Sequence, residues 1–133
     1  MNYKLTEFEK HSDNRGDLIV FLKKSDLDNH FKTFGQIYFV TFEKKGVVRG
    51  NHYHNKWHEW FGIIAGKIEV FLEDIHTKER KTLILDAKKD KYTRLEIGPH
   101  VAHKFRSISK YAALINYADS EWYSDDTISY EII

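Results

Sequence analysis

The chain has 133 residues, a formal net charge of +1 and no cysteine, so disulfides and thiolate metal sites are excluded and one domain over residues 1–133 is expected. The balanced charge argues against nucleic acid as a partner. The segment 1–17 is too polar for a signal peptide, and no apolar run approaches the roughly 18 residues of a membrane span. We therefore expect a cytoplasmic protein that binds neither nucleic acid nor membranes.

Short segments rich in β-branched and aromatic residues recur roughly every ten residues, which is typical of all-β proteins. The pattern predicts a weak strand at 3–8, a turn at 12–17, a buried strand at 18–22 and one or two helical turns from 25 to 31. Further strands are predicted at 37–42, 47–54, 59–65, 68–73, 78–85, 92–97, 101–107 and 111–118. The simplest fold is a small jelly-roll barrel whose interior can hold one small ligand.

Three histidines and a carboxylate are concentrated between Gly46 and Gly66. Residues two apart on a strand share one face, so the imidazoles of His52 and His54 should enter the same space. A turn after His54 would bring Glu59, at the start of the next strand, beside them. Gly66 is expected to form the following turn because glycine accepts a positive φ.

A second cluster of functional residue types lies at 99–105. Pro99 predicts a turn, and strand alternation would point His103 inward with the apolar side chains. With His52, His54 and Glu59, this histidine would complete a nitrogen and oxygen donor set that suits zinc, iron, manganese, nickel or copper.

These motifs resemble known families at two levels. The spacing from Gly46 through His52-x-His54 and Glu59 to Gly66 resembles the first motif of the cupin superfamily, and the segment 99–103 partly resembles the second. From about residue 3 to about residue 131, the chain is similar to the dTDP-sugar 3,4-ketoisomerases with a WxcM-like domain. The shared elements are Asp13-x-Arg15-Gly16-Asp17-Leu18, Ile37-Tyr38-Phe39, Arg49-Gly50-x-His52-x-His54, Ile97-Gly98-Pro99, Ala118-Asp119-Ser120-Glu121-x-Tyr123-x-Asp125-Asp126 and Tyr130-Glu131.

The resemblance implies a single-domain cupin jelly roll, also called a double-stranded β-helix, that pairs as a homodimer. It implies a dTDP-linked 4-keto-6-deoxy sugar as partner, an isomerase activity in bacterial surface-glycan synthesis, and no required metal cofactor. One departure concerns the site, because the ketoisomerases usually carry glutamine where this chain has Glu59. The glutamate restores the full cupin set of His52, His54, Glu59 and His103, so a bound divalent metal stays an alternative.

Moving a ketone from C4 to C3 of a sugar requires removal of a proton from C3 and delivery of a proton to C4. Groups with a pKa near 7 transfer protons most efficiently, and histidine is the side chain closest to that value. We predict His52 as the base and His54 as its partner. Tyr38, on the neighbouring strand, is predicted to donate a proton to the developing oxyanion or to carbon.

Three further residues are predicted to bind or hold the substrate. Arg49 would pair with a diphosphate oxygen, Glu59 would hold His54 in one tautomer, and His103 would complete the pocket wall. His58 should face the opposite side of its strand. The alternatives are a metal-dependent cupin isomerase or dioxygenase, a 3,5-epimerase of the more distantly similar dTDP-4-dehydrorhamnose group, and a non-catalytic sugar-binding cupin.

Overall fold

The computed structural model of the protein describes residues 1–27 and 34–133, which form twelve strands and two single turns of 3-10 helix. The 3-10 turns lie at Lys24–Asp26 and Ser124–Asp126. The strands are β1 Tyr3–Phe8, β2 His11–Asp13, β3 Gly16–Leu18, β4 Gln36–Phe42, β5 Val48–Tyr53, β6 Glu59–Ala65, β7 Lys67–Asp74, β8 Arg80–Asp86, β9 Tyr92–Ile97, β10 Val101–Ser107, β11 Ala112–Ala118 and β12 Ile128–Ser129.

The strands are arranged in two five-stranded antiparallel sheets that face each other. The first sheet has the order β1-β9-β6-β11-β4, the second has the order β12-β5-β10-β7-β8, and β2 pairs with β3 in a separate hairpin. Within the described ranges no strand pairs across the two sheets, so the jelly roll is an open sandwich rather than a closed barrel. The all-β fold class is confirmed, while the assignment of residues 1–133 to one domain stays a prediction. No helix in the described ranges is long and apolar enough to cross a membrane.

The hydrophobic core lies between the two sheets because alternate side chains of each strand point inward. In β10, for example, Val101, His103 and Phe105 are buried, while Arg106 is exposed. The core cluster consists of Phe42, Phe61, Ile63, Ile68, Val70, Leu72, Leu85, Tyr92, Leu95, Ile97, Val101, Phe105, Ala112 and Leu114. The strands predicted at 3–8 and between 37 and 118 are confirmed, with ends that differ by at most two residues.

The prediction of a buried strand at Leu18–Leu22 is wrong. Strand β3 ends at Leu18, and the following residues cross the outer face of the first sheet without pairing in a ladder. The ring of Phe21 lies 2.8 Å from where a Cβ at Gly62 would stand. The run is apolar because it covers a sheet, which composition alone does not distinguish from a strand. Part of the predicted helical turn from 25 to 31 lies outside the described residues.

An irregularity of the backbone brings β5 and β10 of the second sheet close together near His52 and His103. Gly50 has φ +98°, and a Cβ there would lie 2.6 Å from the carbonyl oxygen of His103. Asn51 also has a positive φ, of 58°, and asparagine tolerates this better than most residues. The register of β10 against β5 shifts at this point and leaves His52 paired with His103. The two imidazoles therefore face each other inside the sandwich.

Candidate active site

Three histidines converge between the sheets. His52 lies on β5, His54 lies just after the end of that strand, and His103 lies opposite on β10. One ring nitrogen from each lies within 4.8 Å of the others. The ring centroids are 5.1 Å apart for His52 and His54 and 4.7 Å apart for His52 and His103. The structure thus brings together the three imidazoles that the spacing singles out.

Glu59 lies beneath these histidines as the first residue of β6, with only 1% of its surface exposed. The connection after β5 turns the chain back, so that Glu59 Oε2 is 3.4 Å from Nε2 of His54 and 3.4 Å from Nε2 of His103. The other carboxylate oxygen accepts a hydrogen bond of 3.4 Å from Nδ2 of Asn116 on β11. The carboxylate therefore bridges the two sheets at the base of the cluster.

Main-chain carbonyls fix the tautomers of two of the histidines. Nδ1 of His54 is 2.6 Å from the carbonyl oxygen of Asp126, and Nδ1 of His103 is 3.1 Å from that of Val101. Because a carbonyl oxygen only accepts hydrogen bonds, each Nδ1 carries the proton and a neutral ring has its lone pair on Nε2. Both lone pairs face Glu59. The tautomer of His54 is thus set by Asp126, whereas Glu59 contacts the other nitrogen.

Three buried acceptors therefore meet at one point. Within the described part of the chain, Nε2 of His54, Nε2 of His103 and Oε2 of Glu59 have no hydrogen-bond partner. Unpaired buried polar atoms cost about 1–3 kcal/mol each, so a proton or a cation at this point would stabilise the cluster. The nitrogen and oxygen donors, with His52 beside them, fit a divalent metal such as zinc or iron.

The surroundings shift the pKa values of the three histidines in different directions. Burial, together with the charges of His103 and His54, lowers the pKa of His52 to about 4. Burial also lowers the pKa of His103. For His54, burial is outweighed by Glu59 and Asp126, which raise its pKa. Burial would raise the pKa of Glu59, but the charged form of His54, whose Nε2–H would then face this carboxylate, and the charges of the other histidines hold the pKa below its usual range. His52 is thus a neutral imidazole near pH 7 and can accept a proton.

A cavity of about 200 Å³ opens beside His52 and His103. Tyr38 and Arg49 form its polar wall, and the remainder is mostly apolar, formed by Val40, Phe42, Gly50, Phe61, Phe105 and Leu114. Burial raises the pKa of Tyr38, and the negative charge of Glu59 raises it further, so its hydroxyl stays protonated and can donate. Polar groups on one wall and an apolar remainder are typical of small-molecule sites.

Arg49 lies at the exposed rim of this cavity. Its Nε donates a hydrogen bond of 3.2 Å to the carbonyl oxygen of Thr41, and its guanidinium lies over the ring of Phe42 at 5.7 Å. These contacts hold the side chain at the cavity entrance. In contrast, His54 and Glu59 lie behind the cavity wall rather than on it.

Sequence reasoning missed roles for Asn116 and Asp126. A lone asparagine in the apolar strand β11 indicates a buried polar group that needs a hydrogen-bond partner. The sequence does not indicate which residue that partner is. Asp126 belongs to the tail motif shared with the ketoisomerases, yet no local pattern connects it to His54, 72 residues away.

Two facing antiparallel sheets with a His-x-His pair, a glutamate and a third histidine pointing between them define a cupin-like protein. The family model FdtA, described as WxcM-like, C-terminal, matches residues 1–131. The chain therefore belongs to this family.

Individual relatives agree with the family. The spore coat polysaccharide biosynthesis protein SpsL of Bacillus subtilis (strain 168) is 27% identical over 128 residues, which cover 92% of this chain and 82% of SpsL. A 3,4-ketoisomerase from Helicobacter canadensis is 27% identical with a TM-score of 0.79, covering 96% of this chain and 90% of that one. A double mutant of the 3,4-ketoisomerase QdtA from Thermoanaerobacterium thermosaccharolyticum, in complex with TDP, is 26% identical with a TM-score of 0.80, covering 96% and 86%.

Proposed function

We propose that the protein is a nucleotide-sugar isomerase that moves the ketone of a dTDP-4-keto-6-deoxyhexose from C4 to C3 during the synthesis of a surface polysaccharide. The observation that carries this proposal is the neutral imidazole of His52 on the wall of a small cavity that it shares with Tyr38. The two 3,4-ketoisomerases at 26% and 27% identity and the polysaccharide biosynthesis protein SpsL support the substrate class and the pathway.

The reaction transfers protons and leaves the composition of the sugar unchanged. His52 takes the proton from C3, and the electrons of that bond form an enediolate with the C4 carbonyl. The proton of the 3-hydroxyl passes to the oxygen on C4, a proton is delivered to C4, and the ketone forms at C3. A base that is neutral before the reaction and regenerated after it meets this requirement.

Tyr38 and His54 supply the acid side of the reaction. The raised pKa of Tyr38 keeps its hydroxyl protonated, so it donates a hydrogen bond to the oxyanion as charge develops there. His54, whose pKa is raised by Glu59 and Asp126, holds a proton behind His52 and serves as its partner. The two histidines thus have opposite roles because their surroundings differ.

Arg49, His103 and Glu59 bind or orient rather than transfer protons. The exposed guanidinium of Arg49 at the cavity rim pairs with a diphosphate oxygen of the nucleotide. His103 forms part of the cavity wall and packs edge-on against His52, with ring centroids 4.7 Å apart. Glu59 lies 3.4 Å from Nε2 of both His54 and His103 and stabilises the charged form of His54.

The proposal includes a cytoplasmic homodimer. Ile37 and Phe39, on the edge strand β4, are 54% and 69% exposed, and an apolar surface along a sheet edge is a natural pairing site. Light scattering should give twice the chain mass of 15.8 kDa, and a monomeric mass would contradict the dimer.

A metal-dependent cupin enzyme is the second candidate. The observation that favours it is the meeting of three unpaired acceptors on His54, His103 and Glu59. These residues and His52 would hold the metal, which would polarise the sugar carbonyl as a Lewis acid. In that case His52 would be a ligand rather than the base, and Tyr38 would remain the proton donor.

Proton NMR of the purified protein with dTDP-4-keto-6-deoxyglucose in deuterated buffer, with and without EDTA, tests both candidates. A 3-keto product with deuterium at C4, formed equally in EDTA, is the expected result. Product that forms only without EDTA identifies the metal-dependent enzyme. Deuterium at C3 and C5 with the ketone still at C4 identifies a 3,5-epimerase, and an unchanged substrate contradicts the substrate assignment.

A further inference from the structure

Asp126 connects the C-terminal tail to the strand connection that follows His54. It is the last residue of the second 3-10 turn and is only 5% exposed. Its carboxylate accepts hydrogen bonds from three consecutive main-chain amides, those of Asn55 at 2.7 Å, Lys56 at 3.0 Å and Trp57 at 2.9 Å. Hydrogen bonds to a charged acceptor are about twice as strong as neutral ones, so this carboxylate holds the β5–β6 connection in place.

The main chain of the same residue also contacts the histidine cluster. The carbonyl oxygen of Asp126 accepts the hydrogen bond from Nδ1 of His54 at 2.6 Å. The ring of Trp57, whose amide is bound to the carboxylate, packs against the ring of His54 with centroids 4.8 Å apart. Asp126 therefore determines both which nitrogen of His54 is protonated and the position of the ring beside it.

We propose that Asp126 is a positioning residue of the active site. Its carboxylate fixes the connection 55–57, and its carbonyl keeps His54 in the Nδ1–H tautomer, so that Nε2 faces Glu59. The effect on His54 follows from this geometry alone, whereas the effect on turnover rests on the proposed function.

Other contacts also hold the C-terminal tail to the rest of the fold. The positioning role of Asp126 can therefore be tested separately from attachment of the tail. Tyr130 donates its main-chain N–H to the carbonyl oxygen of Asn51 at 2.8 Å, and its hydroxyl is hydrogen bonded to Glu73. Nζ of Lys104 donates to the carbonyl oxygen of Ile132 at 2.9 Å. Removal of the Asp126 carboxylate should therefore loosen the connection 55–57 while the end of the tail stays bound.

The matched control is Tyr130→Phe, which removes a hydroxyl contact of the same tail without touching His54. Long-range proton–nitrogen NMR of the uniformly ¹⁵N-labelled chain, at a pH where histidines are neutral, identifies which ring nitrogen carries the proton. The His54 signals are assigned from their loss in His54→Asn. Thermal unfolding and steady-state kinetics with dTDP-4-keto-6-deoxyglucose are measured on the same samples.

In the wild-type protein, His54 should be protonated at Nδ1. Asp126→Ala should give a mixture of tautomers and lower kcat by about a hundredfold with little change in KM, because a small misplacement of a catalytic group has an effect of this size. Asp126→Asn retains one acceptor oxygen and should give an intermediate loss. Tyr130→Phe should lower the melting temperature but leave the His54 signals and kcat as in the wild type.

An Nε2–H tautomer in the wild type, or an unchanged His54 spectrum in Asp126→Ala, would overturn the inference. Equal losses of kcat in Asp126→Ala and Tyr130→Phe would also overturn it, because general destabilisation would then explain both. If Asp126→Ala does not fold, Asp126→Asn carries the same comparison. A wild-type protein that does not turn over the sugar rejects the proposed function, and the NMR measurement still decides the role of Asp126.

Discussion

His58 and Glu59 are consecutive residues, yet they end in opposite electrostatic situations on the two faces of the first sheet. On the outer face, Nε2 of His58 is 2.7 Å from Oε1 of Glu96, and the two side chains are 11% and 21% exposed. On the inner face, Glu59 lies 3.4 Å from both His54 and His103, and all three side chains are at most 3% exposed. Glu59 begins β6 and His58 directly precedes that strand, and the side chains of these two successive residues point to opposite faces of the sheet.

The two groups differ in how completely their polar atoms are paired. The outer pair, His58 and Glu96, has a short side-chain contact of 2.7 Å and stays partly solvated. The inner cluster has three acceptor atoms without a partner in the described part of the chain, at a cost in stability that proteins accept mainly at functional sites. The inner cluster can therefore bind a proton, a metal or a substrate through these acceptor atoms, whereas His58 and Glu96 already bind each other.

The largest expected difference is between the replacement of His52, inside the sandwich, and the replacement of His58, on the outer face. His52→Asn should lower kcat/KM for the keto sugar by about a thousandfold, because a general base contributes 10²–10⁴-fold. His58→Asn, on the outer face, should leave kcat/KM within about threefold of wild type by the same reasoning. Steady-state kinetics of the two variants provide the comparison, and equal losses would contradict the assignment of roles to the two faces.

Arginine provides a second comparison between the faces. Arg49→Lys should raise KM about tenfold with kcat nearly unchanged, because lysine cannot pair with a diphosphate bidentately. Arg94 is buried on the outer face, where its Nη1 donates to the carbonyl oxygen of Phe21 at 3.0 Å and to Asp26 at 3.1 Å. Arg94→Lys should lower the melting temperature and leave KM unchanged. A larger change of KM in Arg94→Lys than in Arg49→Lys would contradict this division.

The two glutamates should respond to neutralisation by different amounts. In EDTA, Glu59→Gln should lower the free energy of unfolding by about 3 kcal/mol, because it removes the buried carboxylate that stabilises the charged form of His54 and whose own pKa is lowered in the fold. Glu96→Gln should lower it by at most about 1 kcal/mol, because its contact with His58 is partly exposed. Urea unfolding measures both, and a loss in Glu59→Gln no larger than that in Glu96→Gln would contradict this difference.

The smallest expected effect is on the pH dependence of stability. The hydrogen bond from His58 lowers the pKa of Glu96 below its ordinary value of 4.5, although burial opposes it. The Glu96 carboxylate therefore stabilises the fold above pH 4.5, and this contribution is lost as the pH falls through the lowered pKa. The stability difference between wild type and Glu96→Gln should shrink as the pH falls below about 4.5. A difference that grows in acid would contradict this sign.

Local periodicity accounts for the part of the site that the sequence predicts. The period of two along β5 and into the residue that follows it places His52 and His54 together. A short connection returns Glu59 to them, and alternation on β10 turns His103 inward. Only the resemblance to the ketoisomerases indicates the reaction, since imidazoles and a carboxylate serve many chemistries.

Contacts between distant segments account for what was not predicted. Asp126 reaches His54 through a main-chain carbonyl, and carbonyl groups carry no residue-specific signal. The sequence predicts a strand for the apolar run after β3 because a segment that covers a sheet and a strand inside a sheet have the same composition. The sequence gives no sign of the role of Asn116 because its partner, Glu59, is on another strand.

Removal of the C3 proton by His52 is tested most directly with dTDP-4-keto-6-deoxyglucose that carries deuterium at C3. The labelled sugar is incubated in ordinary water with the wild type, His52→Asn or His58→Asn, and NMR follows the deuterium. We expect the deuterium to leave C3 with the wild type and His58→Asn and to stay at C3 with His52→Asn. Loss of the label at the same rate with His52→Asn would contradict this role of His52 and leave the base to another group of the site.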